Sequence, residues 1–143
     1  AGTTRVLVAD GRDGPWSPES FDRVLVDAPC SGLGVLRRRP ESRWRRSPGD
    51  VAELARLQRE LLLAAVAAAR PGGIIGYATC SPHIAETDLV VDDVLARRND
   101  LTEESAVALL PDIPDTGPGP RLRLWPHRHG TDGMFLSILR RTL

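Results

Sequence analysis

Two apolar runs, each ending in a cysteine turn, bracket a helical stretch. Val24-Leu25-Val26 leads into Asp27-Ala28-Pro29-Cys30-Ser31-Gly32, and Ile74-Ile75-Gly76-Tyr77 leads into Ala78-Thr79-Cys80-Ser81. These turns hold the only two cysteines of the 143-residue chain. Strands alternating with helices favour a parallel α/β sheet, where ligands and catalytic groups gather at the carboxyl ends of strands. Two thiols and the Asp27 carboxylate are therefore expected to converge on one crevice. A thiol is a natural nucleophile for a soft, conjugated carbon such as a pyrimidine ring position.

Residues 5–10 read as a short buried strand, closed by the turn formers Gly11, Asp13, Gly14 and Pro15. Phe21–Asp27 is the second strand, and residues 31–48 predict a loop with at most short helical turns. Ser47 is placed as an N-cap, with Pro48 at the first helical position and Asp50 at the third. The helix that follows carries Val51, Leu54, Leu57, Leu61, Leu62, Ala65 and Val66 on one broad face, and Pro71-Gly72-Gly73 ends it. Residues 74–78 form the third strand. Pro82 and Glu86 open a second helix with Leu89, Val90, Val94 and Leu95 as its apolar side. Residues 100–109 read as a loop or weak strand, and residues 111–120 as a Pro- and Gly-rich connection. Residues 122–126 and 134–139 read as paired strands.

The chain suffices for one small domain with a real core, and no apolar run approaches the roughly 20 residues of a membrane helix. Two widely spaced cysteines suggest neither a disulfide scaffold nor a zinc site, and His83, His127 and His129 lack metal-ligand spacing. Free thiols fit a reducing, cytoplasmic setting. Formal charge is zero, but its distribution is uneven. Six arginines (Arg37, Arg38, Arg39, Arg43, Arg45, Arg46) against Glu41 put a net +5 between residues 37 and 46, and the chain contains no lysine. Such a cluster grips phosphates through paired N–H donors, or is simply a solvated loop.

The motifs resemble those of the Nol/Nop/Sun family of S-adenosylmethionine-dependent RNA cytosine carbon-5 methyltransferases, above all the bacterial small-subunit ribosomal RNA enzymes. Phe21 through Gly32 is similar to the family's fourth motif, and Gly34-Val35-Leu36-Arg37-Arg38-Arg39-Pro40 with Trp44 to its arginine loop. Gly72-Gly73 through Ser81, then Glu86, is similar to its sixth motif. Val8-Ala9-Asp10-Gly11-Arg12 is similar to its third, and Leu124-Trp125-Pro126-His127 with Asp132-Gly133-Met134-Phe135 to its C-terminal hairpin. The glycine-rich first motif and the ribose-binding second motif are not among these residues. The resemblance thus implies the C-terminal part of a catalytic domain: a truncated Rossmann-like α/β methyltransferase fold, mostly parallel, with an antiparallel hairpin at the end.

It also implies roles. Cys80 attacks carbon-6 of cytosine, and Cys30 assists loss of the carbon-5 proton and release of the RNA. The residues alone leave open which cysteine attacks; the pairing of both motifs, as in the RNA enzymes, selects Cys80. Asp27 contacts the cytosine edge and the cofactor's amino group, beside Pro29, or else caps a turn. Asp10 is either the family's adenine-contacting acid or an ordinary strand-end turn former. Arg37, Arg38, Arg39 and Arg43 bind RNA. Glu86 reads as a helix N-terminal acid, and Trp44 and Trp125 as half-buried packing residues. The chain alone is expected to bind S-adenosylmethionine weakly or not at all. It should also leave the edge of the residue 24–27 strand unpaired, giving a dimer across that edge or a rearranged first strand. The rival reading is a non-catalytic RNA-binding or assembly module.

Overall fold

The two strongest apolar runs pair with each other in the computed structural model, which describes residues 2–45 and 47–142. Strand β1 (Phe21–Asp27) lies parallel to β2 (Ala69–Thr79), with Val24 opposite Ile75, Val26 opposite Tyr77 and Asp27 opposite Ala78. The crossover between them is helix α1 (Pro48–Ala68). It starts where the sequence says. Asp50 N–H donates to Ser47 Oγ at 3.3 Å and Ser47 N–H donates to Asp50 Oδ2 at 2.7 Å, a reciprocal cap with Pro48 in the first turn. The helix ends before Pro71, because Ala69 is already extended and sits in the ladder opposite Phe21. The Pro-Gly-Gly turn instead falls inside β2, where the register jumps between the Phe21–Ala69 and Arg23–Ile74 pairs.

Three further pairings are antiparallel and share β5 (Met134–Arg141), which runs beside β2. On its other side β5 receives β4 (Leu122–Leu124), the expected hairpin partner, and β3 (Leu101–Glu104), whose sequence reads as either loop or weak strand. The antiparallel part is thus larger than a hairpin, and β1–β2 is the one parallel pairing among the described residues. A short 3-10 turn (Ile84–Glu86) precedes helix α2 (Asp88–Arg97), and one turn of helix, α3 (Pro126–His129), joins β4 to β5.

The core is one-sided. Leu62, Ala65 and Val66 of α1 and Val90, Val91 and Val94 of α2 cluster with Ile75, Tyr77, Phe135 and Leu139, which alternate along β2 and β5 as a half-covered sheet requires. Tyr77 and Phe135 meet edge to face, ring centroids 6.2 Å apart. No helix among the described residues is long and apolar enough to cross a membrane.

One expectation fails. Residues 5–10 form no strand: Val6, Leu7 and Val8 are exposed, and none of the described strands pairs with them. Backbone groups of an apolar run gain a ladder only against a neighbour, and the sequence carries no sign of which neighbour is in reach. As expected, one edge of β1 is unpaired among the described residues. There β1, α1, Gly11 and Trp16 enclose an apolar groove of about 390 Å³ that reaches Asp27. Leu25, 70% exposed, stands beside it.

Candidate active site

Parallel pairing of β1 and β2 brings their carboxyl ends side by side, and with them the two cysteine turns. Ala28 N–H donates to Ala78 O at 3.0 Å just before the strands separate. Beyond that bond the Cys30 and Cys80 Sγ atoms lie 3.3 Å apart, both half-buried. The expected convergence of the thiols is therefore seen. Burial, and next the hydrogen bond with Cys80, push the Cys30 thiol up to about 12. Cys30 thus keeps its proton and can donate it towards Cys80 Sγ.

The residues that fix this geometry lie beneath the sulfurs. Glu86, fully buried, accepts hydrogen bonds from Ser31 N–H at 2.7 Å, Ser31 Oγ at 2.6 Å, Ser81 Oγ at 2.6 Å and Gln58 Nε2 at 3.2 Å. Each of its oxygens has two donors. Ser31 follows Cys30 and Ser81 follows Cys80, so one carboxylate fastens both turns. Gln58, on the buried face of α1, also donates to Pro29 O at 2.8 Å. Tyr77 Oη donates to Glu86 O at 2.8 Å. The Glu86 carboxyl is therefore not a helix-end acid in solvent, as the sequence suggested, but a buried hub. Its signal was the pair of Cys-Ser dipeptides; Gln58's was a lone amide within an apolar stripe.

The arginine loop docks onto the same turns. Gly34 N–H donates to Cys80 O at 2.9 Å, and Gly133 N–H donates to Gly34 O at 2.7 Å. The approach is so close that a Cβ on Gly34 would sit 2.1 Å from Gly133 O. Arg37 donates to Gly130 O at 2.9 Å, and Arg38 Nε to Asp132 Oδ2 at 2.8 Å, with a second Arg38–Asp132 contact through Nη2. Arg38 holds the Asp132 carboxyl below the usual carboxylate range. Two of the proposed RNA contacts are thus engaged with the turn before β5. Arg39 and Arg43 are exposed, and Arg43 stacks over Trp44, 5.4 Å from its centroid. Trp44 is not half-buried: it is 81% exposed. Trp125 is half-buried, its ring tilted 6.1 Å from that of His127. Arg46 lies outside the described residues.

The acids separate. Asp27 is exposed at the end of β1, lining the groove, and no side chain among the described residues pairs with it. Although Asp27 ends an apolar strand, its carboxylate is open to water. Asp10 does not line that groove. Its carboxylate accepts from Arg12 N–H at 2.9 Å and from the Arg12 guanidinium, which lowers it to about 2, and Arg12 continues to Glu60 on α1. This is a turn in which the side chain closes on its own backbone. Pro29 is exposed beside Asp27's turn, its carbonyl tied to Gln58.

A family model described as 16S rRNA methyltransferase RsmB/F matches residues 2–140. A Mycobacterium tuberculosis protein, named as a methyltransferase without a stated substrate, is 59% identical over 136 residues, 95% of this chain and 30% of that protein. Ribosomal RNA small subunit methyltransferase B of Vibrio cholerae is 39% identical, over 96% of this chain and 30% of its own length. Among solved structures, NSun6 from Pyrococcus horikoshii with SFG superposes with a TM-score of 0.69 at 31% identity, over 83% of this chain and 29% of that one. The chain thus spans about 30% of the length of these relatives.

Proposed function

The chain belongs to the RsmB/F family of 16S rRNA methyltransferases, and from that premise we propose that it is the C-terminal part of a catalytic domain that methylates carbon-5 of a cytidine in ribosomal RNA. The observation that carries the reading is the 3.3 Å contact between Cys30 and Cys80 at the ends of adjacent parallel strands.

S-adenosylmethionine supplies the methyl group when bound. The groove beside β1 fits the cofactor chemically: apolar walls, with the unpaired Asp27 carboxylate able to accept from an amino group. Cys80 is the nucleophile. Its thiolate forms a bond to carbon-6, and the electron pair displaced makes carbon-5 nucleophilic. Asp27 holds the ring edge of the base. After carbon-5 has gained its methyl group it must lose its proton, and the sulfur–carbon-6 bond must break. Cys30 serves this stage. The carbon-5 proton passes to water, the freed C–H electron pair re-forms the carbon-5–carbon-6 double bond and expels Cys80 as thiolate, and Cys30 assists by donating its S–H to that departing Sγ. The net change replaces the carbon-5 hydrogen by methyl and releases one proton. The target base reaches the thiol only when flipped from its stack or already single-stranded. The arginine loop, with Arg39 and Arg43 exposed, holds the RNA backbone. By this reading the chain alone is inactive, a reducing cytoplasm keeps both thiols free, and the open edge of β1 is where a second copy can pair.

The test is covalent trapping in the intact protein. Cys80→Ser is expected to abolish both methyl transfer and the adduct with 5-fluorocytidine RNA, whereas Cys30→Ala lets an enzyme–RNA adduct accumulate on gels. Adduct formation by Cys80→Ser would remove Cys80 from the nucleophile's place. Methyl-transfer assays of the intact protein and of this chain separate the catalytic reading from a purely RNA-binding one.

A further inference from the structure

We propose that Glu86 is the positioning residue of the two-thiol site: through Ser31 and Ser81 it holds Cys30 and Cys80 at contact distance. The proposal rests on the reading of the cysteines as one site. Glu86 is fully buried and four donors converge on its two oxygens, two from Ser31, one from Ser81 and one from Gln58. A buried carboxylate is costly unless fully hydrogen-bonded. Here every donor comes from an element that shapes the site: the Pro-Cys-Ser turn, the Thr-Cys-Ser turn, and α1, whose Gln58 also holds Pro29 O. A helix-end acid needs no such partners. The arrangement is a clamp, since neither serine can move outward without leaving a charged oxygen short of a donor. Each serine is bonded covalently to the cysteine before it, so the clamp sets the sulfur separation. Glu86 itself touches neither thiol in this arrangement, and it acts on the reaction only through them.

Replacing Glu86 by Gln keeps the volume but turns one acceptor oxygen into a donor. Ser81 Oγ already accepts from His83 N–H at 3.1 Å, so its hydroxyl cannot simply reverse without crowding that bond. Ser81→Ala deletes one donor and leaves the carboxylate three. It is the second variant, should Glu86→Gln fold poorly.

The probe is phenylarsine oxide, which condenses with two thiols to form two As–S bonds and release water. The apparent dissociation constant of each variant is multiplied by its folded fraction, read by circular dichroism, so that loss of folding is not counted as loss of chelation. Wild-type protein is expected to bind it at least about 100-fold tighter than either Cys30→Ala or Cys80→Ala does, as chelation implies. Glu86→Gln and Ser81→Ala should lose at least tenfold of that advantage. In methyl transfer by the intact protein the same variants should lose at least tenfold in kcat, with KM for RNA within twofold. Wild-type chelation with both variants unchanged would overturn the role of Glu86 alone. Wild-type binding no tighter than that of the single-cysteine variants would instead overturn the two-thiol site on which it rests.

Discussion

Two sulfur atoms 3.3 Å apart cannot both be thiolates, because the second charge would meet the first across a hydrogen-bond distance. Deprotonation therefore stops at one sulfur, and burial followed by the hydrogen bond to Cys80 pushes Cys30 up to about 12. Of the two thiols, Cys30 is thus the one held in its protonated form by burial. Iodoacetamide at pH 8 is expected to modify Cys80 first, and in Cys80→Ser the modification of Cys30 should be at least about tenfold slower than that of Cys80 in wild type. Peptide mass spectrometry reads this directly, and preferential labelling of Cys30 would exchange the two roles. The cysteines themselves are legible in the sequence, since each ends a strand-like run. Glu86 is legible only as a motif member, because nothing in one dimension shows that a carboxylate 55 residues after Ser31 and 5 after Ser81 closes on both hydroxyls. Asp27 misleads for the opposite reason: an apolar strand suggests burial, but β1 is an edge strand with one open side.

At the scale of elements, local signals read best. Ser47, Pro48 and Asp50 start α1 where their chemistry places them, whereas residues 5–10 have strand composition and no strand, since pairing is a property of two segments. The arginine loop shows the same split. Its charge is visible in the sequence, but its docking onto Cys80 O and Gly133 is not, and that docking depends on Gly34 lacking a side chain. Gly34→Ala would place a Cβ 2.1 Å from Gly133 O and 2.7 Å from Cys80 O. The backbone must shift, and urea denaturation should show destabilisation by about 1–3 kcal/mol; an unchanged midpoint would mean that the three turns do not interlock. For RNA, the arginines should divide by their partners. Arg39→Gln with Arg43→Gln should flatten the salt dependence of binding by about 0.7–0.9 log–log units for each phosphate no longer neutralised. Arg37→Gln with Arg38→Gln should do less per residue, because those guanidinium groups already pair with Gly130 O and Asp132. An unchanged slope in both double variants would make the loop a solvated surface.

At the scale of the molecule, the sheet of the described residues is covered on one face and open along one edge, and under the proposed function cofactor binding would be decided at that edge. The groove beside β1 offers apolar walls and one free carboxylate, Asp27. The second acid that the family resemblance assigns to the cofactor, Asp10, is tied to Arg12, and through it to Glu60. Residues 5–10 make no strand to carry Asp10 into the groove. Among the described residues a nucleoside cofactor would therefore meet one hydrogen-bonding acid at the groove, and no glycine-rich turn beside it to receive its methionine end. Freeing Asp10 would also break bonds to the Arg12 guanidinium that hold its carboxyl near 2. Titration calorimetry of this 143-residue chain with S-adenosylmethionine is accordingly expected to show no binding in the micromolar range, while the intact protein binds. The same measurement with Arg12→Ala, which unties Asp10, tests the cause: a gain in affinity would show that the Asp10–Arg12 turn opposes the cofactor, and no gain would leave the missing glycine turn as the deciding absence. Micromolar binding by the unaltered chain would mean that Asp27 and the apolar wall of β1 and α1 are enough.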